Sequence, residues 1–467
     1  MTPRKPLRRT LAAALVAAGL VSGCIGIGRG GDRVGALAEA YRAGRLPLEA
    51  EALAAVEGGV PGVDVYLSLP AASLVFRPAG EGAEAVVQWE VTVEREGGGT
   101  VATFTPADTV RAPGAEAASE ADPVTRRFRV DAPPGAYRVR AVAEAVGSER
   151  FGADEERVEV PRPTTAPAVG GLRLEGAYPS GRVGPLVAFS VPAGIDSLGL
   201  VAQALAPPPG AVLSLALGRY RADTTAASPL GAFTPPPTSL AARGIDFGGY
   251  DSVATVRQPV APVGGVADVR LPLPRLRAGV YRATLDLLGP DGRRLDRASR
   301  LVVVRRRDYP RVTRIGDLVD PLVYLAEPDE LRRLRAAVGT PGARRAFDRF
   351  WGEQIDDRRV AAATLRAFYE RVEEANRLFG SHKEGWKTDP GMVYVLFGPP
   401  LYADRTPTGE VWSYGSGGAA PTALVFEQTA GRPGDPSPVS VLTLVRDRRY
   451  HDAWLNAQRL WRTGRVP

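Results

Sequence analysis

Residues 381–400 read SHKEGWKTDPGMVYVLFGPP, and they gather several side chains able to do chemistry. His382 titrates near neutrality, Lys383 and Lys387 are compact cations with three donors each, and Glu384 and Asp389 are carboxylates. Two carboxyl groups about 5–9.5 Å apart, one held protonated, hydrolyse a glycosidic bond, and an exposed indole such as Trp386 stacks on a sugar face. The same residues also make a good structural junction. Gly380 is a natural helix stop. Asp389-Pro390-Gly391 fits a β-turn, and the strand expected over 392–397 is stopped by Gly398-Pro399-Pro400. In that reading Trp386 covers the seam between helix and sheet, while Thr388 and Asp389 bond local backbone amides. His451 is far away in sequence, and no metal-ligand spacing, Ser-His-Asp order or nucleophile elbow accompanies the stretch. The pattern therefore favours structure or partner recognition over catalysis, with no catalytic residue assigned, no cofactor and no metal site. A turn at the surface also offers little desolvation to hold one carboxyl protonated.

The elements that must position these residues lie on either side. PDELRRLRAAV opens with a Pro-Asp-Glu helix start, and GARRAFDRFWGEQ and RVAAATLRAFYERVEEANRLFG follow it. In the last, Ala361, Leu365, Phe368, Val372, Ala375 and Phe379 recur at spacings of four and three, which puts them on one helical face. After the stretch, EVWSY, TALVFEQ and VSVLTLVRD read as strands, and HDAWLNAQRLWRTGR as a short closing helix. Helices first and an antiparallel sheet after define an α+β domain over 310–467.

Upstream the pattern is β. Short alternating apolar segments separated by Gly, Pro and acidic loops predict a β-sandwich over 63–160 and a second over 170–305, joined by a proline-rich linker at 161–169. Both regions end alike: Gly135-x-Tyr137-Arg and Gly279-x-Tyr281-Arg each open an alternating strand, a turn and a last strand. This resembles the final strands of immunoglobulin-like sandwiches and implies a duplicated module. Residues 24–62 are expected to be a tether followed by two short helices over 34–57, broken at Pro47. A G-x-G-x-x-G match at Gly26, Gly28 and Gly31 lacks the preceding strand that a dinucleotide site needs.

The N-terminus gives an address. Arg4, Lys5, Arg8 and Arg9 precede an apolar run from Leu11 to Val21, too short to span a bilayer, which takes about 20 apolar residues. The run ends Val21-Ser22-Gly23-Cys24, which resembles a bacterial lipoprotein signal over 1–23. That resemblance implies an acylated Cys24, palmitate among its chains, and membrane attachment at roughly 0.8 kcal/mol per buried CH₂. By the same resemblance to bacterial lipoproteins, Ile25 after the cysteine favours the outer membrane over the inner one. Cys24 is the sole cysteine, so no thiol is left for a disulfide or a zinc site. The net charge of +7 comes from 59 basic residues interleaved with 52 acidic ones rather than from a basic stripe, so no nucleic-acid partner is expected.

FWGEQIDD, FYERVEEANRLFG, GWKTDPGMVYVLFGPP, EVWSYG and LVFEQ, in that order, resemble the GWxTD domain, with Gly385, Trp386, Thr388 and Asp389 as the motif residues. The chain departs from the usual pattern at Pro390 and Met392, on the flanks of Gly391, and at Leu401 after the double proline. The resemblance implies an exported bacterial protein carrying this module behind β-rich regions, and it implies no reaction. The expectation is therefore a multidomain chain of immunoglobulin-like sandwiches followed by an α+β domain, lipid-anchored in the envelope and facing periplasm or cell surface. Its expected work is to bind or assemble with another envelope protein through Gly385, Trp386, Lys387, Thr388 and Asp389, with Trp412 and Tyr414 as further candidates. The rival expectation is a hydrolase or glycan-binding protein acting on the cell wall or a polysaccharide.

Overall fold

The computed structural model describes residues 46–467 except 115–120, 149, 162–165, 188–189, 192–194, 196, 231–243, 262–264, 307–308, 354, 407–408, 416–422 and 430–440. The signal segment, Cys24 and the glycine-rich tether lie outside the described residues.

The first sandwich starts earlier than its apolar alternation suggested. Glu49–Glu57 is a strand and not a helix, and it pairs antiparallel with Val60–Leu69. Alanine and glutamate favour helix by propensity, but Gly58 and Gly59 adopt φ of 58° and 82° and close a two-residue hairpin. The hairpin then buries Ala50 and Ala52 in the sandwich core, and tertiary burial overrides propensity. Val124–Asp131 completes that sheet. The facing sheet is built on Gly82–Arg95, flanked by Gly135–Ala145 and then Phe151–Val160. Trp89 and Tyr137 fill the space between the sheets with no exposed surface.

The second sandwich repeats this plan from Ala168, so the linker is shorter than expected. One sheet runs 183–186, 168–177, 198–205, 266–272; the other runs 190–191, 294–304, 279–288, 212–222, 245–259. The duplication read from the Gly-x-Tyr-Arg signature extends to register. Gly135 pairs with Val160 and Gly279 with Val304; Tyr137 pairs with Arg95 and Tyr281 with Arg219. In each module the tyrosine hydroxyl donates to the carbonyl four residues back, Pro133 at 2.5 Å and Arg277 at 2.8 Å. Such a tyrosine corner belongs to the immunoglobulin-like architecture. The modules are also tied together: Arg300 pairs with Glu51 at 2.7 Å, and the Gln203 amide both accepts from and donates to the Val56 backbone.

The C-terminal domain begins with short α1 (Ile315–Val319), then α2 (Pro328–Ala337), α3 (Ala343–Gly352) and the long α4 (Arg358–Phe379). Glu327 and Glu330 form a capping box at α2, and Asp357 caps α4. As the spacing predicted, Phe368, Val372 and Ala375 of α4 are fully buried. The expected strand over 392–397 is instead part of helix α5 (Asp389–Phe397). A run of six apolar residues does not distinguish a buried strand from a buried helix. Here every residue from Pro390 to Phe397 is buried, so no polar face marked the helical period. A four-stranded antiparallel sheet follows in the order 402–406, 409–413, 423–429, 441–444, and α6 (Tyr450–Arg462) closes the domain. No helix among the described residues is long and apolar enough to cross a membrane.

Candidate functional site

The GWxTD stretch joins α4 to α5 through one 3₁₀ turn, Gly385–Lys387. Its glycine is dictated by contact. A Cβ on Gly385 would lie 1.9 Å from the Ala375 carbonyl oxygen of α4, so only glycine lets the turn rest on the helix backbone. Gly391 repeats the device one layer up, where a Cβ would lie 1.9 Å from the Gly385 carbonyl oxygen. Three backbone segments thus stack with no side chain between them.

Thr388 and Asp389 do not sit in a β-turn; they start α5. The Thr388 hydroxyl donates to the Gly385 carbonyl at 2.7 Å and accepts from the Gly391 amide at 3.1 Å, which makes it the N-cap. Pro390 stands in the first turn, where its missing N–H costs nothing. This gives the departure at Pro390 a physical meaning: it suits a helix start. Asp389 bonds a distant strand rather than local amides. One carboxylate oxygen accepts from the Leu444 amide at 2.9 Å and the other from the Arg446 guanidinium. Burial pushes the Asp389 carboxyl up, against the opposing pull of Arg446 and of the Leu444 amide.

Trp386 is 4% exposed and meets Tyr324 edge to face, with ring centroids 5.9 Å apart. The Tyr324 hydroxyl donates to the Trp386 carbonyl at 2.9 Å. Lys387 lies half-buried, its ammonium 2.9 Å from Glu384 and 5.4 Å from the Trp386 ring centre. Trp412 is fully buried, its indole N–H donating to Glu410, and its ring packs between Phe379 and Phe426. Tyr414 is buried and donates to the Gly398 carbonyl. The stretch therefore brings Gly385, Trp386, Thr388 and Asp389 together as an interior knot, while Trp412 and Tyr414 belong to the sheet side of the same core. Neither tryptophan has a free face for a sugar, and Glu384 and Asp389 are each held by a separate cation.

Sequence reasoning missed the segment that covers this knot. After the strand ending at Ala222, residues 223–230 leave the second sandwich and lie on the C-terminal domain. The Lys383 ammonium donates to Asp223 at 2.8 Å and to the Thr225 carbonyl at 3.0 Å. The Ala227 amide donates to the Lys387 carbonyl at 2.8 Å. Arg446, already held by Asp389, donates to the Ser228 and Pro229 carbonyls at 2.7 and 3.2 Å. Leu230, 1% exposed, enters the core of the C-terminal domain. Two arginines just after the last strand of the second sandwich take part too: Arg305 donates to the Lys383 carbonyl, and Arg306 pairs with Asp317 and approaches Glu384.

Burial works against the Asp223 charge, but the Lys383 and Thr225 hydrogen bonds outweigh it and hold the carboxyl below its usual range. His382 is 5% exposed; burial, reinforced by the Lys383 charge, pushes it down to about 4. It is therefore neutral at pH 7, unsuited to proton transfer there. Only the rarity of lysine, with both lysines beyond residue 5 inside this stretch, signalled the importance of Lys383 in the sequence.

Two sandwiches, a helical layer knotted to a four-stranded sheet, and the Gly-Trp-x-Thr-Asp knot itself define a β-rich chain ending in an α+β module. The family model of the GWxTD domain matches residues 291–463, and the chain is a GWxTD domain-containing protein. That match begins inside the last strand pair of the second sandwich, Gly279–Leu288 and Arg294–Val304. No curated protein matches the sequence. Among solved structures, a red sea bream transglutaminase is similar at 15% identity with a TM-score of 0.17, over 56% of this chain and 31% of that one. The chain thus spans less than a third of that protein's length.

Proposed function

We propose that this chain is a lipid-anchored envelope protein, attached through Cys24 at the outer membrane, whose GWxTD domain has a non-catalytic binding or assembly role toward another envelope protein. The observation that carries the non-catalytic part is the internal use of the motif: Trp386, Thr388 and Asp389 each bond or pack within the fold. A reacting group needs access to substrate, and these are turned inward, with Trp386 4% and the Asp389 side chain 12% exposed. The motif then serves to present the C-terminal domain in a fixed relation to the sandwiches, as assembly work requires. Glycan hydrolysis or binding has less support, because Trp386 and Trp412 are buried and Glu384 is paired with Lys387.

Fractionation of cells expressing the full chain tests the anchor. The wild type is expected with the outer membrane and Cys24→Ser in the soluble fraction; equal distribution of both removes the anchor from the proposal. Cross-linking the tagged full chain in the envelope tests the role. A discrete protein captured by wild type and equally by Lys387→Ala supports assembly with a structural motif. Capture of nothing by either, together with hydrolysis of envelope polysaccharide by the purified chain, replaces the proposal with the enzymatic one.

A further inference from the structure

The strap at 223–230 lies on the C-terminal domain in the manner of a bound peptide. The strands it connects, Val212–Ala222 and Ile245–Pro259, are direct hairpin neighbours paired at Ala222 and Ile245. A hairpin closes with 2–5 residues, whereas this connection takes about twenty, the length of a functional loop rather than a turn. Its exposure follows a surface-bound chain: Thr224, Thr225 and Ser228 face solvent, Ala226 and Ala227 are half-buried, and Leu230 is enclosed.

The grips are of three kinds. Lys383 takes a carboxylate at one end, and the domain core takes a leucine at the other. Between them the contacts go to main chain: the Thr225, Ser228 and Pro229 carbonyls accept, and the Ala227 amide donates. Main-chain bonds with a charged and an apolar anchor at the two ends are how extended peptides are recognised. The gripping side chains are also set in advance, since Asp389 of the motif fixes Arg446 and the Lys383 carbonyl is held by Arg305.

From this geometry we infer that the face of the GWxTD domain formed by Lys383, the Lys387 carbonyl and Arg446 is a peptide-binding groove, filled in this chain by its own strap. Its ligand class is an extended segment with a carboxylate residue, small residues after it, and a leucine seven positions on, as in Asp223 to Leu230. A partner segment of that pattern enters when the strap leaves. The inference rests on the assembly role proposed above and names the chemistry of the partner.

The test uses the purified full chain and a fluorescein-labelled peptide, ADTTAASPL, identical to residues 222–230. Fluorescence anisotropy is measured for wild type, for a strap variant carrying Asp223→Ala and Leu230→Asp, and for that variant with Lys383→Met added. The strap variant is expected to bind the peptide at least tenfold more tightly than wild type, and Lys383→Met to remove at least tenfold of that gain. A strap variant that unfolds cooperatively yet binds no better than wild type overturns the groove. Should the double variant fail to fold, Asp223→Asn alone carries the same comparison, and no gain over wild type overturns the inference equally. Because no envelope partner is present, failure here leaves the anchor and cross-linking results to be judged separately.

Discussion

Lys383 and Asp223 stand 160 residues apart in the chain, yet their ammonium and carboxylate meet at 2.8 Å with side chains only 7% and 12% exposed. This pair fastens the second sandwich to the C-terminal domain beside the GWxTD motif. Five of the six tryptophans lie in the C-terminal domain, so intrinsic fluorescence reports its unfolding.

Breaking the pair from one side leaves a buried charge without its partner. Lys383→Met and Asp223→Ala should each cost about 2–4 kcal/mol in urea unfolding followed by tryptophan fluorescence. The double variant should cost less than the sum by at least about 1 kcal/mol. Strict additivity would mean that the two residues do not interact.

Gly385→Ala is expected to cost about 3 kcal/mol or more, because the new methyl meets a helix carbonyl rather than a movable side chain. Gly352→Ala, with open space around its Cβ position, is the control and should stay close to wild type in the same urea titration.

His382 gives a pH signature with a defined sign. Its folded-state value of about 4 lies below the ordinary 6.5, so the unfolded chain takes up a proton first. Stability from the neutral form is complete above pH 6.5 and is lost as pH falls toward 4. That shift corresponds to about 3 kcal/mol. The difference in unfolding free energy between wild type and His382→Gln should therefore shrink as pH is lowered from 7 to 4. A difference independent of pH would refute the assignment.

The duplicated corners predict matched losses. Tyr137→Phe and Tyr281→Phe each remove a hydroxyl donor from a carbonyl four residues back, and each should cost about 1–2 kcal/mol to its own sandwich. Amide hydrogen exchange resolved by segment reads the two modules separately.

Much of the architecture was legible because the signals were local. The helical face of α4 and the alternating strands carry their own periodicity, and the Pro-Asp-Glu start of α2 is a local signal. The repeated Gly-x-Tyr-Arg stretch even located equivalent corners in both sandwiches. Two elements were misread for opposite reasons. Glu49–Glu57 has helix-forming residues but is held as a strand by its glycine hairpin, and Asp389–Phe397 is too uniformly apolar to show a period. The site itself was found as a stretch but not as a geometry. Trp386 reads in the sequence both as a cover for the seam and as a stacking surface, and Trp412 only as a further binding candidate, whereas both complete a core assembled from distant segments. Arg446 and Asp223 carried no local signal, since their partners lie 57 and 160 residues away.

The GWxTD motif is an interior knot that grips the strap through the Lys387 carbonyl and through Arg446, which Asp389 holds. Hydrogen exchange at the Ala227 amide, which donates to the Lys387 carbonyl, tests it most directly. Wild type should protect this amide well above the open-chain rate, though less than the amides of α4, and Arg446→Ala should release it while the first sandwich stays protected. An Ala227 amide that exchanges in wild type as fast as an open chain would show that the knot does not hold the strap.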